Sequence, residues 1–170
     1  MSRPVFVGYD VYAASDAKHK FVRRVYHTGR SVLAKSRLTK AVEAAKKKGV
    51  GHIVGWKKVK DVTGTFKYIA KLQISIGSQM RCPLDYKCRA SRAKVLAFYG
   101  YITTETDRWG TGTLGEEATL QEARPFNKFH IGTPYIKGKW VVPEHPFTKY
   151  NVECASGIHF FLTVEEALEW

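Results

Sequence analysis

Apolar and polar positions alternate most regularly between residues 66 and 76, where Phe66, Tyr68, Ala70, Leu72, Ile74 and Ile76 fall two apart. That is the period of a strand with one buried face. HIVGWKKV (52–59) and AKVLAFYGYI (93–102) carry the same β-branched and aromatic bias, as do RPVFVGYDVY (3–12), KFVRRVYH (20–27), residues 129–142 and Ile158 to Leu162. DVTG (61–64) supplies Asp and Gly for a hairpin turn between the first two of these runs. The period changes between Ser31 and Lys48, where Leu38, Ala41, Val42 and Ala45 share one helical face, Gly49 stands in the stop position and Lys46, Lys47 and Lys48 lie in the last turn. Near the end, Thr163 and Glu166 make a capping box for a short helix, VEEALEW. Residues 103–122, rich in Thr, Gly and acids and without a period, read as an extended surface loop. The pattern predicts an α+β protein: mainly antiparallel sheet arranged as a meander, with a basic helix near the N-terminus and a short C-terminal helix.

Length narrows this to one main domain, since 170 residues with 44% hydrophobic content build one sizeable core. Charge changes the picture more. Of the formal net charge of +13, residues 1–60 hold 15 Lys/Arg against Asp10, Asp16 and Glu43, whereas the remaining residues are close to balance. On that contrast the chain divides into a basic strand and helix segment, 1–50, and an antiparallel α+β domain, 51–170. No apolar run approaches a membrane span, and the first residues lack the apolar core of a secretory signal. Three cysteines are an odd number, so the expectation is of reduced thiols in a cytoplasmic setting, without a disulfide framework.

The basic residues are Lys18, Lys20, Arg23, Arg24, Arg30, Lys35, Arg37 and Lys40, interleaved with Phe21, Tyr26 and His27. Clustered cations among aromatic rings suit a phosphate backbone with bases to stack, and equally an acidic protein surface. In KCRASRAK (87–94), Arg89 and Arg92 either extend that patch or flank a buried strand. Cys82, Cys88, Cys154 and His159 offer a Cys3His set, but the C-x5-C spacing is not the tight zinc knuckle. Cys154, Ser156 and His159 lie close enough in sequence for a nucleophile and base only if Gly157 bends the strand. Neither arrangement leads to an expected catalytic residue, metal or cofactor.

GWKK (55–58), KLQISI, KCRASRAKVL (87–96), YIKGKWVVPEHPF and ECASGIHFFLTVEEAL (153–168) occur in an order that resembles an uncharacterised domain of phages and large DNA viruses, which commonly follows pentapeptide repeats. The resemblance covers residues 51–170; the first 50 carry the basic segment where that family has repeats. It implies a viral or phage origin and an α+β domain, without a mechanism. GIHFFLTVEEAL and YHTG (26–29) also look like the NAD-contacting strands of ADP-ribosyltransferases, which would make His27 and His159 an alternative site. The reading reached is a non-enzymatic viral or phage accessory or structural protein, in the virion or host cytoplasm. Its basic N-terminal part would contact nucleic acid or an acidic virion or host protein. An NAD-using enzyme is the alternative.

Overall fold

A computed structural model describes residues 36–83, 86–103, 112–125, 133–150 and 155–170. The strands expected over 3–12 and 20–27 lie outside the described residues. Helix α1 (Arg37–Lys47) begins at Ser36, whose hydroxyl accepts from the Thr39 N–H at 3.2 Å. It ends at Gly49, held at φ 67°, where the N–H groups of Gly49 and Val50 return to the carbonyls of Lys46 and Ala45 at 3.0 and 2.9 Å. This is the Schellman pair of bonds, and the positive φ is why glycine stands there. Leu38, Ala41, Val42 and Ala45 pack on the sheet core as the spacing predicts, while Lys40, Lys46, Lys47 and Lys48 face solvent.

The strands are β1 (His52–Lys60), β2 (Lys67–Ser75), β3 (Met80–Arg81), β4 (Lys87–Ala90), β5 (Ala93–Thr103), β6 (Gly112–Glu117), β7 (Glu122–Pro125), β8 (Tyr135–Ile136), β9 (Trp140–Val141) and β10 (Ile158–Phe161), followed by helix α2 (Val164–Glu169). Every pairing is antiparallel, and the main path runs β3-β4-β10-β1-β2-β5-β6. β7 lies beside the end of β1 and pairs with β8, while β9 pairs with the start of β5. The tight β8–β9 turn therefore links the two sides of the β1-β2-β5 sheet. Val59, Ala70, Leu72, Val95, Ala123, Tyr135 and Val141 fill one continuous core between these strands.

The mainly antiparallel sheet with an early and a late helix is as the pattern predicts, but the connection is not a simple meander. β3 and β4 leave the β1-β2-β5 run and cross to the far edge beside β10. The loop expected over 103–122 contains β6, whose sequence GTLGEE has a single large apolar residue because an edge strand has little to bury. The division drawn at residue 50 on charge also moves. α1 packs on the sheet, and the compact unit containing it begins at Lys35. Cys82 and Cys88 are joined in a disulfide rather than being separate thiols. The β3–β4 hairpin sets Arg81 opposite Arg89, which brings the next positions face to face with Cα atoms 4.1 Å apart.

The register separates two faces. One carries Ile53, Val59, Ala70, Leu72 and Ile74, all buried. The other carries Trp56 opposite Lys71 and Lys58 opposite Ile69, with Tyr99 next in line. α2 covers part of this second face, packing Ala167 with Ile69 and Phe161. Its start is the expected capping box between Thr163 and Glu166. Its end is met by Lys58, whose Nζ donates to the Leu168 carbonyl and the Tyr101 hydroxyl, each at 3.2 Å. A cation at a helix C-terminus satisfies carbonyls that the helix leaves open.

Candidate polyanion-binding surfaces

Lys18, Lys20, Arg23, Arg24, Arg30, Lys35 and His27 lie outside the described residues. Of the remaining sequence candidates, Lys40 is exposed on α1, on the same side as Lys46 and Lys47. Arg37, on the first turn of that helix, is ion-paired with Glu166 and thereby joins α1 to α2.

Arg89 lies inside the molecule, fully buried, rather than on a basic surface. Its Nη1 donates to the carbonyls of Thr148 and Ser156 at 3.2 and 2.7 Å, its Nη2 donates to that of Tyr150 at 2.7 Å, and the guanidinium lies 5.3 Å from the Phe147 ring centre. A guanidinium presents five donors in a rigid plane, so one side chain can gather carbonyls from one connection. Of the two readings of KCRASRAK, the flank of a buried strand is the one that Arg89 satisfies. Arg92, two residues past the end of β4, is exposed and lies over the Trp140 ring at 5.0 Å.

That contact belongs to a wider pattern invisible in the linear sequence. Lys58 lies 4.4 Å from the Tyr101 ring centre, Lys71 lies 5.7 Å from Trp56, and Lys87 lies 4.4 Å from Trp170. Rings attract cations through the negative potential of their faces. Lysines also crowd one another. Burial first, and Lys87 second, push the Lys57 amine down to about 8, while burial and Lys67 do the same to Lys58. Among the described residues, none of Arg92, Lys94 and Lys139 has a carboxylate partner. Lys94 stands directly opposite Trp140 in the β5–β9 register, so Arg92 and Lys94 lie against an indole that is 48% exposed.

The candidate catalytic groups are placed differently. The Ser156 hydroxyl donates to the His145 carbonyl at 2.6 Å, and Cys154 lies outside the described residues. His159 is half-buried on β10, opposite Arg89. With Cys82 and Cys88 in a disulfide, neither offers a thiolate to a metal, and the described residues contain no group of three potential ligands. The concavities along α1 are open grooves, one lined by Lys40, Glu43, Ala44, Lys46 and Lys47 and the other by Leu38, Val42, Met80 and Arg81 with their neighbours.

Fold and surface together define an antiparallel α+β sheet protein whose described residues carry cations on aromatic rings. The sequence pattern of a family of unknown function (DUF5758) matches residues 43–167, from the middle of α1 into α2, and the chain belongs to that family. No curated protein and no solved structure matches it. Among the described residues, no helix is long and apolar enough to cross a membrane.

Proposed function

We propose that this chain is a non-enzymatic accessory or structural protein of viral or phage origin that contacts nucleic acid through its basic N-terminal part, of which α1 is the described end. The observation that carries the reading is the solvent face of α1. Leu38, Ala41, Val42 and Ala45 are used in packing, which leaves Lys40, Lys46, Lys47 and Lys48 directed outward with Glu43 as the one acid among them. They continue the charge excess of the first 60 residues. Cations gathered on the solvent side of a helix, beyond the few the helix C-terminus attracts, suit phosphate-backbone contact. Filter binding of the full chain to DNA and RNA across a salt series tests this. Affinity should fall linearly in log–log form, and Lys40, Lys46 and Lys47 changed together to Gln should flatten the slope by about 2 to 3. Absence of binding at low salt sinks the proposal, and the acidic virion protein then becomes the partner to seek among components of purified particles.

A further inference from the structure

The cluster around Trp140 has a chemistry that simple phosphate attraction does not need. Trp140 lies on β9, a two-residue strand at the start of β5, with nearly half its surface in water. Water contact over so large an aromatic side chain is unfavourable. Val142, two residues on, is 53% exposed as well. Arg92 lies against one side of the indole at 5.0 Å. Lys94 is directly opposite Trp140 in register, so the two side chains share one face of the sheet. Lys137, beyond Gly138, is held in an ion pair with Glu117 at 2.8 Å, so the cations against the indole are Arg92 and Lys94, neither of which has a carboxylate partner among the described residues.

We infer that Trp140, Arg92 and Lys94 form a binding site for single-stranded nucleic acid, in which a base stacks on the indole while the two cations hold the flanking phosphates. The partner is specified by the combination. An acidic protein surface satisfies cations without needing an exposed indole, and a duplex keeps its base faces stacked inside and offers the ring nothing. A single strand presents both π-faces and phosphates at the spacing of neighbouring side chains. The guanidinium plane adds a second stacking surface beside the indole. The site stands on residues other than the α1 lysines, and it deepens the proposed function by fixing the strandedness of the partner.

The test is fluorescence anisotropy of the full-length protein with a labelled short single strand and with the corresponding duplex, in parallel with quenching of tryptophan emission. The single strand should bind more tightly than the duplex. Trp140→Ala should weaken single-strand binding by about tenfold, in line with roughly 1–3 kcal/mol per stacked base. Trp140→Phe should keep most of the affinity, and Arg92→Gln with Lys94→Gln should reduce the single-strand salt slope by about 1.4. Because Trp140 is half exposed, melting of the alanine variant should stay near that of the parent. Duplex and single strand bound equally, or Trp140→Ala binding like the parent, would overturn the site while leaving the α1 reading intact. No binding to either form would overturn both. The Lys40/Lys46/Lys47→Gln variant should keep its preference for the single strand, and loss of that preference there would overturn the site.

Discussion

Arg89 donates to the Ser156 carbonyl at 2.7 Å, which fixes the backbone one residue before Gly157 turns the chain into β10. Gly157 itself sits at φ 150°, and a Cβ there would lie 3.1 Å from the Arg89 Cβ, so the arginine and the glycine form one close-packed corner. Removing the guanidinium takes a donor from the carbonyls of Thr148, Tyr150 and Ser156 and leaves the space of a fully buried side chain unfilled. Arg89→Ala should therefore lower stability by about 3 to 5 kcal/mol in urea unfolding, and Arg89→Lys should recover only part of it because an ammonium cannot span the same carbonyls. Wild-type stability in the alanine variant would contradict the placement of Arg89.

A second close approach sets the spacing between β1 and β10. A Cβ on Gly55 would come within 2.6 Å of Phe160 Cδ2, and that ring is fully buried. Gly55→Ala should lower stability by about 1 to 3 kcal/mol through overpacking, and Phe160→Ala by about 3 to 5 kcal/mol through the cavity left behind. Combined with Phe160→Leu, the Gly55→Ala change should cost less than the sum of the separate changes, since both act on one volume. Additive thermal shifts would show that the two residues do not share it.

The lysine pair predicts a stability that increases with pH in the alkaline range. Lys57 and Lys58 have folded values near 8, depressed by burial and by Lys87 and Lys67 respectively, against an ordinary 10.5. Between those values the unfolded chain binds more protons than the folded one, so stability rises with pH across this window. Tyr135 acts the other way, because burial raises its phenol above the usual 10 and stability then falls once free tyrosine ionises. The melting temperature should climb from pH 8 to about 10 and then flatten. Lys57→Met should reduce the climb; a melting temperature that falls steadily from pH 8 upward would contradict the burial of these amines.

The Cys82–Cys88 bond closes a loop of a few residues between β3 and β4. Chain entropy for so short a loop corresponds to about 2 kcal/mol. Melting with and without reductant should differ by that amount, and Cys82→Ser with Cys88→Ser should reproduce the reduced value. Thiol titration that finds both cysteines free in protein purified without reductant would remove the bond from the account.

Elements whose sequence period matches their packing were legible in advance. The alternation at Ala70, Leu72 and Ile74, the α1 face at Leu38, Ala41, Val42 and Ala45, the stop at Gly49 and the Thr163–Glu166 box all stand as the pattern predicts. Ile69 is buried against that alternation because α2 covers the second face, a tertiary effect with no local signature. β6 was missed because Gly112 to Glu117 buries little, and the Cys82–Cys88 pair because cross-strand register is not encoded in residue spacing. Arg89 and Arg92 show the limit most sharply. Three residues apart in one basic run, they end in opposite environments, one in the core and one on an indole, because the turn between β4 and β5 intervenes.

The claim that unites these observations is that cations and exposed rings on this chain meet nucleic acid. Ultraviolet cross-linking of the full-length protein to a single-stranded oligonucleotide, followed by mass-spectrometric mapping of the modified peptides, examines it most directly. The account predicts adducts on the peptide containing Trp140 and on peptides from the basic N-terminal part through α1, all suppressed by added salt. Adducts confined to other surfaces, or none above a control protein of similar net charge, would contradict it.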